Sequence, residues 1–315
     1  MKVVSLLALA LAACAALAVP AAAATKKKKP KTQYYLSLGD SLSVGIQPGP
    51  ADDPGHEAAS VETDDGYSDQ LYAKAKRLYA GLKLVKAGCS GATTQNMLRG
   101  GIDVTGLGTC TPPQPLYKST SAATSQMAYA QKFIRDHEGQ IAFITVSIGN
   151  NDLDTCRQGA AINFDCVAAG QQSVGRNVAV IGRRLRRAAG PDVPIIGTTF
   201  YDPYLGLYLQ GGVNQALAQA TQSIAQEINA QTLAPAWKKS KVAVARIDQA
   251  FGTYIPFDQM VNDPNWGMVP VAVANVCNYS WFCVPPPAGP NIHANKTGYS
   301  LIAGAFFTQL KKVAS

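Results

Sequence analysis

Residues 34–43 read Tyr34-Tyr35-Leu36-Ser37-Leu38-Gly39-Asp40-Ser41-Leu42-Ser43, a strand-like run that passes directly into Gly-Asp-Ser. A serine hydroxyl acts as a nucleophile only where the fold holds it beside a base and beside donors for a developing oxyanion. At a strand end, the hydroxyl and the backbone N–H of Ser41 can both face a site. The stretch therefore predicts a buried strand that ends at a candidate nucleophile.

Strand-like apolar runs alternate with helix-like segments along the rest of the chain. This alternation predicts an α/β protein whose parallel sheet is covered by helices on both faces. We expect strands at Tyr34–Leu38, Leu82–Lys86, Ile141–Ile148, Val193–Thr199 and Lys241–Arg246. The expected helices are Tyr67–Tyr79, Ser125–His137, Ser173–Ala188, Asn214–Leu233 and Asn295–Val313.

Candidate partners for Ser41 follow other predicted strands. Ligands of parallel sheets bind beyond the C-terminal strand ends, where Gly149-Asn150-Asn151-Asp152 lies. Asn151 offers a carboxamide NH2, and Gly91, in Gly88-Cys89-Ser90-Gly91-Ala92-Thr93, offers a backbone N–H. His293 follows a Pro-rich loop and precedes a helix, so it is the candidate base. Together these groups meet the needs of acyl transfer.

These blocks resemble, in order, those of the SGNH (GDSL) hydrolase family, and the resemblance extends from Tyr34 to Val313. It implies a three-layer α/β/α flavodoxin-like fold with a central five-stranded parallel sheet. It also implies that Ser41 is the nucleophile and His293 the base, and that the oxyanion hole is formed by Ser41, Gly91 and Asn151. The α/β-hydrolase alternative fails because no Gly-x-Ser-x-Gly occurs.

One position departs from the family pattern. The family usually has an aspartate three residues before the histidine, and here that residue is Pro290. The imidazole therefore needs another acceptor. We expect a backbone carbonyl from Pro290 or a neighbour, with Asp258 or Asp263 as the alternative. A neutral carbonyl stabilises imidazolium less than a carboxylate does, so the triad becomes a dyad.

The substrate is less well defined by the sequence. Aromatic residues near the predicted site, Tyr201, Tyr204, Trp281 and Phe282, are candidate substrate-binding walls. These side chains could bind lipid or aryl esters or stack on sugar rings. Their alternative role is to cover the edge of the core. We expect a serine esterase or lipase without metal or organic cofactor. The alternatives are a carbohydrate O-deacetylase or acyltransferase on the same residues, or a catalytically inactive surface-binding protein.

The N-terminal residues predict export. Residues 1–24 have a short basic start, an apolar run and a small-residue cleavage site, as in a secretory signal peptide. Residues 25–32 form a basic tether, and 33–315 the catalytic domain. Leu11-Ala12-Ala13-Cys14 resembles a lipoprotein box, so a lipid anchor on Cys14 is the alternative to release.

Cysteine usage agrees with an oxidising compartment. Apart from Cys14, six cysteines fall into sequential couples with short spacings. We expect the bridges Cys89–Cys110, Cys156–Cys166 and Cys277–Cys283. Zinc and redox motifs are disfavoured because no Cys-x-x-Cys occurs.

The net charge of +8 comes partly from Lys26–Lys29 and Lys31. This run is either a solubilising tail or a contact with an anionic envelope or phospholipid surface. Export argues against a nucleic-acid partner, and a monomer is expected.

Overall fold

This computed structural model describes residues 31–49, 60–100, 125–158 and 161–313. The predicted signal peptide, Cys14 and Cys110 lie outside these ranges, as does nearly all of the predicted tether. The expectations that concern them stay predictions.

In chain order, the described strands are β1 Gln33–Gly39, β2 Ile46–Pro48, β3 Ser60–Glu62, β4 Leu82–Lys86, β5 Ile141–Ser147, β6 Arg157–Gln158, β7 Ala161–Ile162, β8 Ile195–Thr198, β9 Ala243–Ala245, β10 Met260–Asp263, β11 Gly267–Pro270, β12 Ser280–Trp281 and β13 Asn291–Ala294. The longest described strands, β1 and β5, have seven residues each.

Along the chain, most of the described helices connect successive strands of the central sheet. The described helices are α1 Ser41–Val44, α2 Tyr67–Ala75, α3 Thr94–Arg99, α4 Gln126–Asp136, α5 Asn151–Asp154, α6 Phe164–Ala189, α7 Val213–Glu227, α8 Ala234–Lys239, α9 Ile247–Ala250, α10 Val271–Tyr279 and α11 Lys296–Val313. A 3₁₀ segment covers Pro203–Gln210, and a π-helical turn, Ile228–Leu233, joins α7 to α8.

A five-stranded sheet with the order β4-β1-β5-β8-β9 forms the centre. All of its neighbouring strands pair in parallel, which confirms the predicted sheet. This order is the flavodoxin-like one. The sheet grows from β1 to β4 on one side, and then from β5 through β8 to β9 on the other side of β1. The site is therefore expected at the C-terminal ends of β1 and β5.

Helices cover both faces because side chains alternate along each strand. On one face Leu36 and Ile144 pack with apolar residues of α4 and α6. On the other face Tyr35 and Phe143 pack with residues of α2 and α11. The alternation produces two buried cores, and the fold is the predicted three-layer α/β/α arrangement.

Disulfides close two loops beside the sheet. Cys156 bonds to Cys166 and Cys277 bonds to Cys283, which confirms two of the three predicted bridges. Cys89 is also disulfide-bonded, but its predicted partner Cys110 lies outside the described residues.

Among the described residues, no helix is both long enough and apolar enough to span a bilayer.

Candidate active site

Ser41 is the first residue of α1, immediately beyond the end of β1. Gly39 has φ +124°, and a Cβ added there would collide with the backbone of Ser147 on the neighbouring strand. Only glycine permits this close approach. The side-chain amide of Gln126 pairs with both backbone groups of Gly39, at 2.7 and 2.9 Å. These contacts fix the turn that presents Ser41.

Asp40 caps α1 rather than pairing with a histidine. Its Oδ1 accepts from the backbone N–H of Leu42 at 3.1 Å and from the Ser147 hydroxyl at 3.2 Å. Burial raises the pKa of the Asp40 carboxyl to about 7. The N–H of Ser41 itself belongs to the first turn of α1, where backbone donors have no acceptor within the helix.

His293 lies on β13, and its ring is held by Asn291. Asn291 Oδ1 lies 2.7 Å from Nδ1 of His293 and accepts from the backbone N–H of His293 at 3.0 Å. Because a backbone N–H can only donate, the Asn291 atom at this position is an oxygen. Nδ1 therefore carries the proton, and Nε2 presents a lone pair.

Neighbouring groups hold this pair in place. Asn291 Nδ2 donates to the Ser60 hydroxyl at 3.3 Å, and the Tyr201 hydroxyl donates to the carbonyl of Ile292 at 2.6 Å. Burial of the ring lowers the pKa of His293 to about 4. The neutral imidazole, which is the form that accepts a proton, thus predominates above that pH.

The group that accepts from Nδ1 of His293 is not the one expected from the sequence. Nδ1 contacts the side chain of Asn291 instead of the Pro290 carbonyl. Asp263 accepts from Asn265 and Asn278, and Asp258 lies in an exposed loop, so neither takes the alternative role. The sequence contained a signal for Asn291, since asparagine side chains commonly accept from the N–H two residues later.

Asn151 opens α5 at the end of β5. Its Nδ2 donates to the carbonyl of Ala92 at 2.9 Å, which places it against the turn that contains Gly91. A carboxamide has two N–H donors, so this bond leaves the second for a substrate oxygen. Gly91 has φ +74°, which favours glycine. Asp152 anchors α5, because its carboxylate accepts from the backbone and hydroxyl of Thr94.

Ser41, Asn151 and His293 line one small cavity, of about 20 Å³ accessible to the centres of water molecules. Three elements that are distant in sequence therefore meet where the sheet topology predicts a site. Gly91 is not among the residues that line this cavity, although its turn contacts Asn151.

The aromatic candidates divide into two groups. Tyr201 lines the cavity of Ser41, and Tyr204 lines a neighbouring one. Trp281 instead donates from its indole to Gln47, and Phe282 packs against Leu207 and Leu217. Neither Trp281 nor Phe282 lines the cavity that contains Ser41 and His293.

Comparison with solved structures finds matches of low identity. An extracellular lipase from Streptomyces rimosus is 15% identical, with 90% of this chain and 100% of that chain covered and a TM-score of 0.49. A phospholipase A1 from Streptomyces albidoflavus is 17% identical, with coverages of 79% and 99% and a TM-score of 0.41. The esterase EstA from Pseudoalteromonas sp. is 13% identical, with coverages of 89% and 97% and a TM-score of 0.40.

A search of curated protein sequences finds no match. Residues 37–301, by contrast, match the sequence profile of the GDSL-like Lipase/Acylhydrolase family. This range includes Ser41, Gly91, Asn151 and His293. Because the match extends over most of the chain, the protein belongs to the GDSL-like lipase/acylhydrolase family.

Proposed function

We propose that this protein is an exported serine esterase or lipase that hydrolyses carboxylic esters through an acyl-enzyme on Ser41. The observation that carries the proposal is that Ser41, Asn151 and His293 line one cavity. Family membership supports hydrolase chemistry on ester substrates. The residues themselves supply a nucleophile, a base and oxyanion donors.

In the first half of the reaction, Nε2 of His293 takes the proton of the Ser41 hydroxyl while Oγ attacks the ester carbonyl. The oxyanion accepts from the N–H of Ser41 and the carboxamide of Asn151, with the N–H of Gly91 as a third donor. The imidazolium then protonates the leaving alkoxide, and the acyl group stays on Oγ. Water, deprotonated by Nε2, then attacks the acyl carbonyl. The bond to Oγ breaks, the imidazolium returns the proton to Oγ, and the acid leaves with Ser41 restored.

Asn291 replaces the usual carboxylate in this scheme. It is a positioning residue, because its oxygen fixes the tautomer and the orientation of the ring without touching the substrate. A neutral oxygen stabilises the imidazolium less than an aspartate does. Burial of the ring lowers the pKa of His293 separately.

Export is supported by the leader-like N-terminal sequence and by the disulfides. Cys156–Cys166 and Cys277–Cys283 are of the kind that persists in oxidising compartments. Their presence agrees with release from the cell, and the basic run before residue 32 suits an anionic surface.

The proposal is tested by turnover of p-nitrophenyl butyrate. Ser41→Ala is expected to lower kcat by about a thousandfold or more, because the nucleophile is lost. Ser43→Ala is the matched control on the same helix, since the Ser43 hydroxyl donates to the carbonyl of Asp40 and has no place in the reaction. Full activity in Ser41→Ala would refute the proposal.

A further inference from the structure

A second cavity adjoins the one that contains Ser41. We call it the side pocket and define it by Leu153, Val167, Phe200, Ile224, Ala225 and Ile228. Asn150, Phe200, Tyr201 and Pro203 line both cavities. The side pocket is therefore the neighbouring space for a group attached to a carbonyl at Ser41.

The wall of the side pocket is mainly apolar. α5 contributes Leu153, α6 contributes Val167, and α7 with the π-helical turn contributes Ile224, Ala225 and Ile228. Aliphatic side chains of this kind favour an alkyl group over a sugar, because burial of a hydroxyl without a partner costs free energy. The Cys156–Cys166 bridge fixes one side, as Cys156 is part of the lining.

Several polar groups in the lining contact one another, whereas Oδ2 of Asp202 is buried without a hydrogen-bond partner among the described residues. The Tyr204 hydroxyl donates to Asp154 at 3.1 Å, and the guanidinium of Arg157 lies 4.4 Å from the centre of the Tyr204 ring. Asp202 Oδ1 accepts from the N–H of Tyr204 at 2.9 Å, and burial raises the pKa of Asp202 to about 6. The neutral form of this carboxyl therefore predominates only below about pH 6.

The size of the side pocket limits the length of the ligand. It offers about 80 Å³ to the centres of water molecules. One water needs about 10–15 Å³ of such space, so the pocket holds roughly five to eight groups of that size. A methylene group is of similar size. The space suits a short or medium alkyl chain.

The position of His293 indicates which half of the ester enters. His293 must protonate the leaving oxygen, so the alcohol lies on the side of β13. None of the described residues that line the side pocket belongs to β13, and the pocket adjoins α5, which carries Asn151. This arrangement favours the acyl half of the ester, rather than the leaving alcohol, as the group that enters the side pocket.

We propose that the side pocket binds the acyl chain of the substrate and selects linear chains of about five to eight carbons. This proposal rests on the proposed function, because it assumes acyl transfer at Ser41. It goes further by naming the acyl class and the residues that limit it.

The test compares p-nitrophenyl esters with acyl chains from two to sixteen carbons. The wild type is expected to give its highest kcat/KM between about five and eight carbons. Ala225→Phe fills the side pocket, so the ratio of kcat/KM for octanoate to that for acetate is expected to fall about tenfold or more. Ala216→Phe, on the exposed face of the same helix, is the matched control and leaves the profile unchanged.

A second variant and a second ester series complete the experiment. Ile224→Ala widens the side pocket and is expected to move the optimum to longer acyl chains, which tests the proposal if Ala225→Phe does not fold.

Acetate esters of alcohols of increasing length are expected to respond equally in wild type and Ala225→Phe. A change in the alcohol series alone, or an acyl profile unchanged in both variants, would overturn the side-pocket proposal while leaving the esterase proposal intact. Absence of turnover for every ester would overturn both.

Discussion

Asn291 Oδ1 lies 2.7 Å from Nδ1 of His293 and 3.0 Å from the backbone nitrogen of the same residue. A single oxygen thus holds both the ring and the strand that carries it. Because this oxygen accepts from both donors, the proton of the ring is on Nδ1, and Nε2 of His293, a residue that lines the cavity of Ser41, presents a lone pair. A carboxamide therefore occupies the place behind the base where the family usually has a carboxylate.

Replacing Asn291 tests this arrangement. Asn291→Asp places a negative charge beside the ring and is expected to raise the pKa of His293, which moves the acid limb of kcat/KM upward by about 1–3 pH units. Asn291→Ala removes the acceptor and is expected to lower kcat about tenfold or more, because the tautomer is no longer fixed. The measurement is the pH dependence of ester hydrolysis.

Asn295→Asp is the control for the charge itself. It adds the same charge two residues after His293, at a side chain that accepts from the N–H of Gly298 instead of contacting the ring. An equal displacement of the acid limb in Asn295→Asp and Asn291→Asp would show that the direct contact is not responsible.

The lowered pKa of His293 predicts activity in acid. A general base works in its neutral form, and burial lowers the pKa of His293 to about 4. The acid limb of kcat/KM for the wild type is therefore expected near pH 4, well below the usual range of histidine. An acid limb near pH 6.5 would contradict the burial of the ring.

The raised pKa of Asp40 predicts that the stability of the fold decreases as the pH rises. Burial raises the pKa of Asp40 to about 7, so the folded protein holds this proton more tightly than the unfolded chain does. Its stabilising effect is complete below the ordinary pKa and is lost as the pH rises through about 7. Asn cannot ionise, so Asp40→Asn is expected to gain stability relative to wild type between pH 5 and pH 8.

The measurement for Asp40 is the difference in Tm between wild type and Asp40→Asn at the two pH values. Asp165→Asn, in the exposed first turn of α6, serves as the comparison. A difference for Asp40→Asn that does not change with pH would show that the carboxyl does not titrate in this range.

The Cys156–Cys166 bridge is expected to stabilise the fold. It spans ten residues of sequence, for which restriction of the unfolded chain amounts to about 3 kcal/mol. The double variant Cys156→Ala/Cys166→Ala should therefore lose that much free energy of unfolding in urea titration. The shorter Cys277–Cys283 loop, which spans six residues, is expected to contribute about 2 kcal/mol. Equal stability of wild type and the first double variant would contradict this view.

The sequence predicted the sheet because its strands are apolar runs that alternate with helix-like segments, nearly continuous in β5 and interrupted by lysine in β4. The sheet strands confirm these positions, with ends that differ by a few residues. α6 begins at Phe164, whereas the sequence predicts a start at Ser173. The prediction is late because residues 164–172 are exposed or half-buried and show no apolar period. The N-terminal cap by Asn163 marks this start better than periodicity does.

The short hairpins and the partner of His293 were harder to predict. β12 pairs with β13, and β2 with β3, through segments of two to four residues that carry no period. Their pairing depends on tertiary contacts, so the sequence predicts a loop-to-helix junction at His293 where the structure has a strand. The sequence departs from the family pattern at Pro290, and the acceptor for Nδ1 is the side chain of the next residue, Asn291.

The central claim is that Ser41 and His293 act on one another across the cavity they share. Labelling by a fluorophosphonate, followed by peptide mass analysis, tests it most directly. We expect the adduct on Ser41 in the wild type, none in Ser41→Ala, and labelling of His293→Ala slower by about a hundredfold or more, because the base is missing. An adduct on another residue, or wild-type labelling rates in His293→Ala, would contradict the claim.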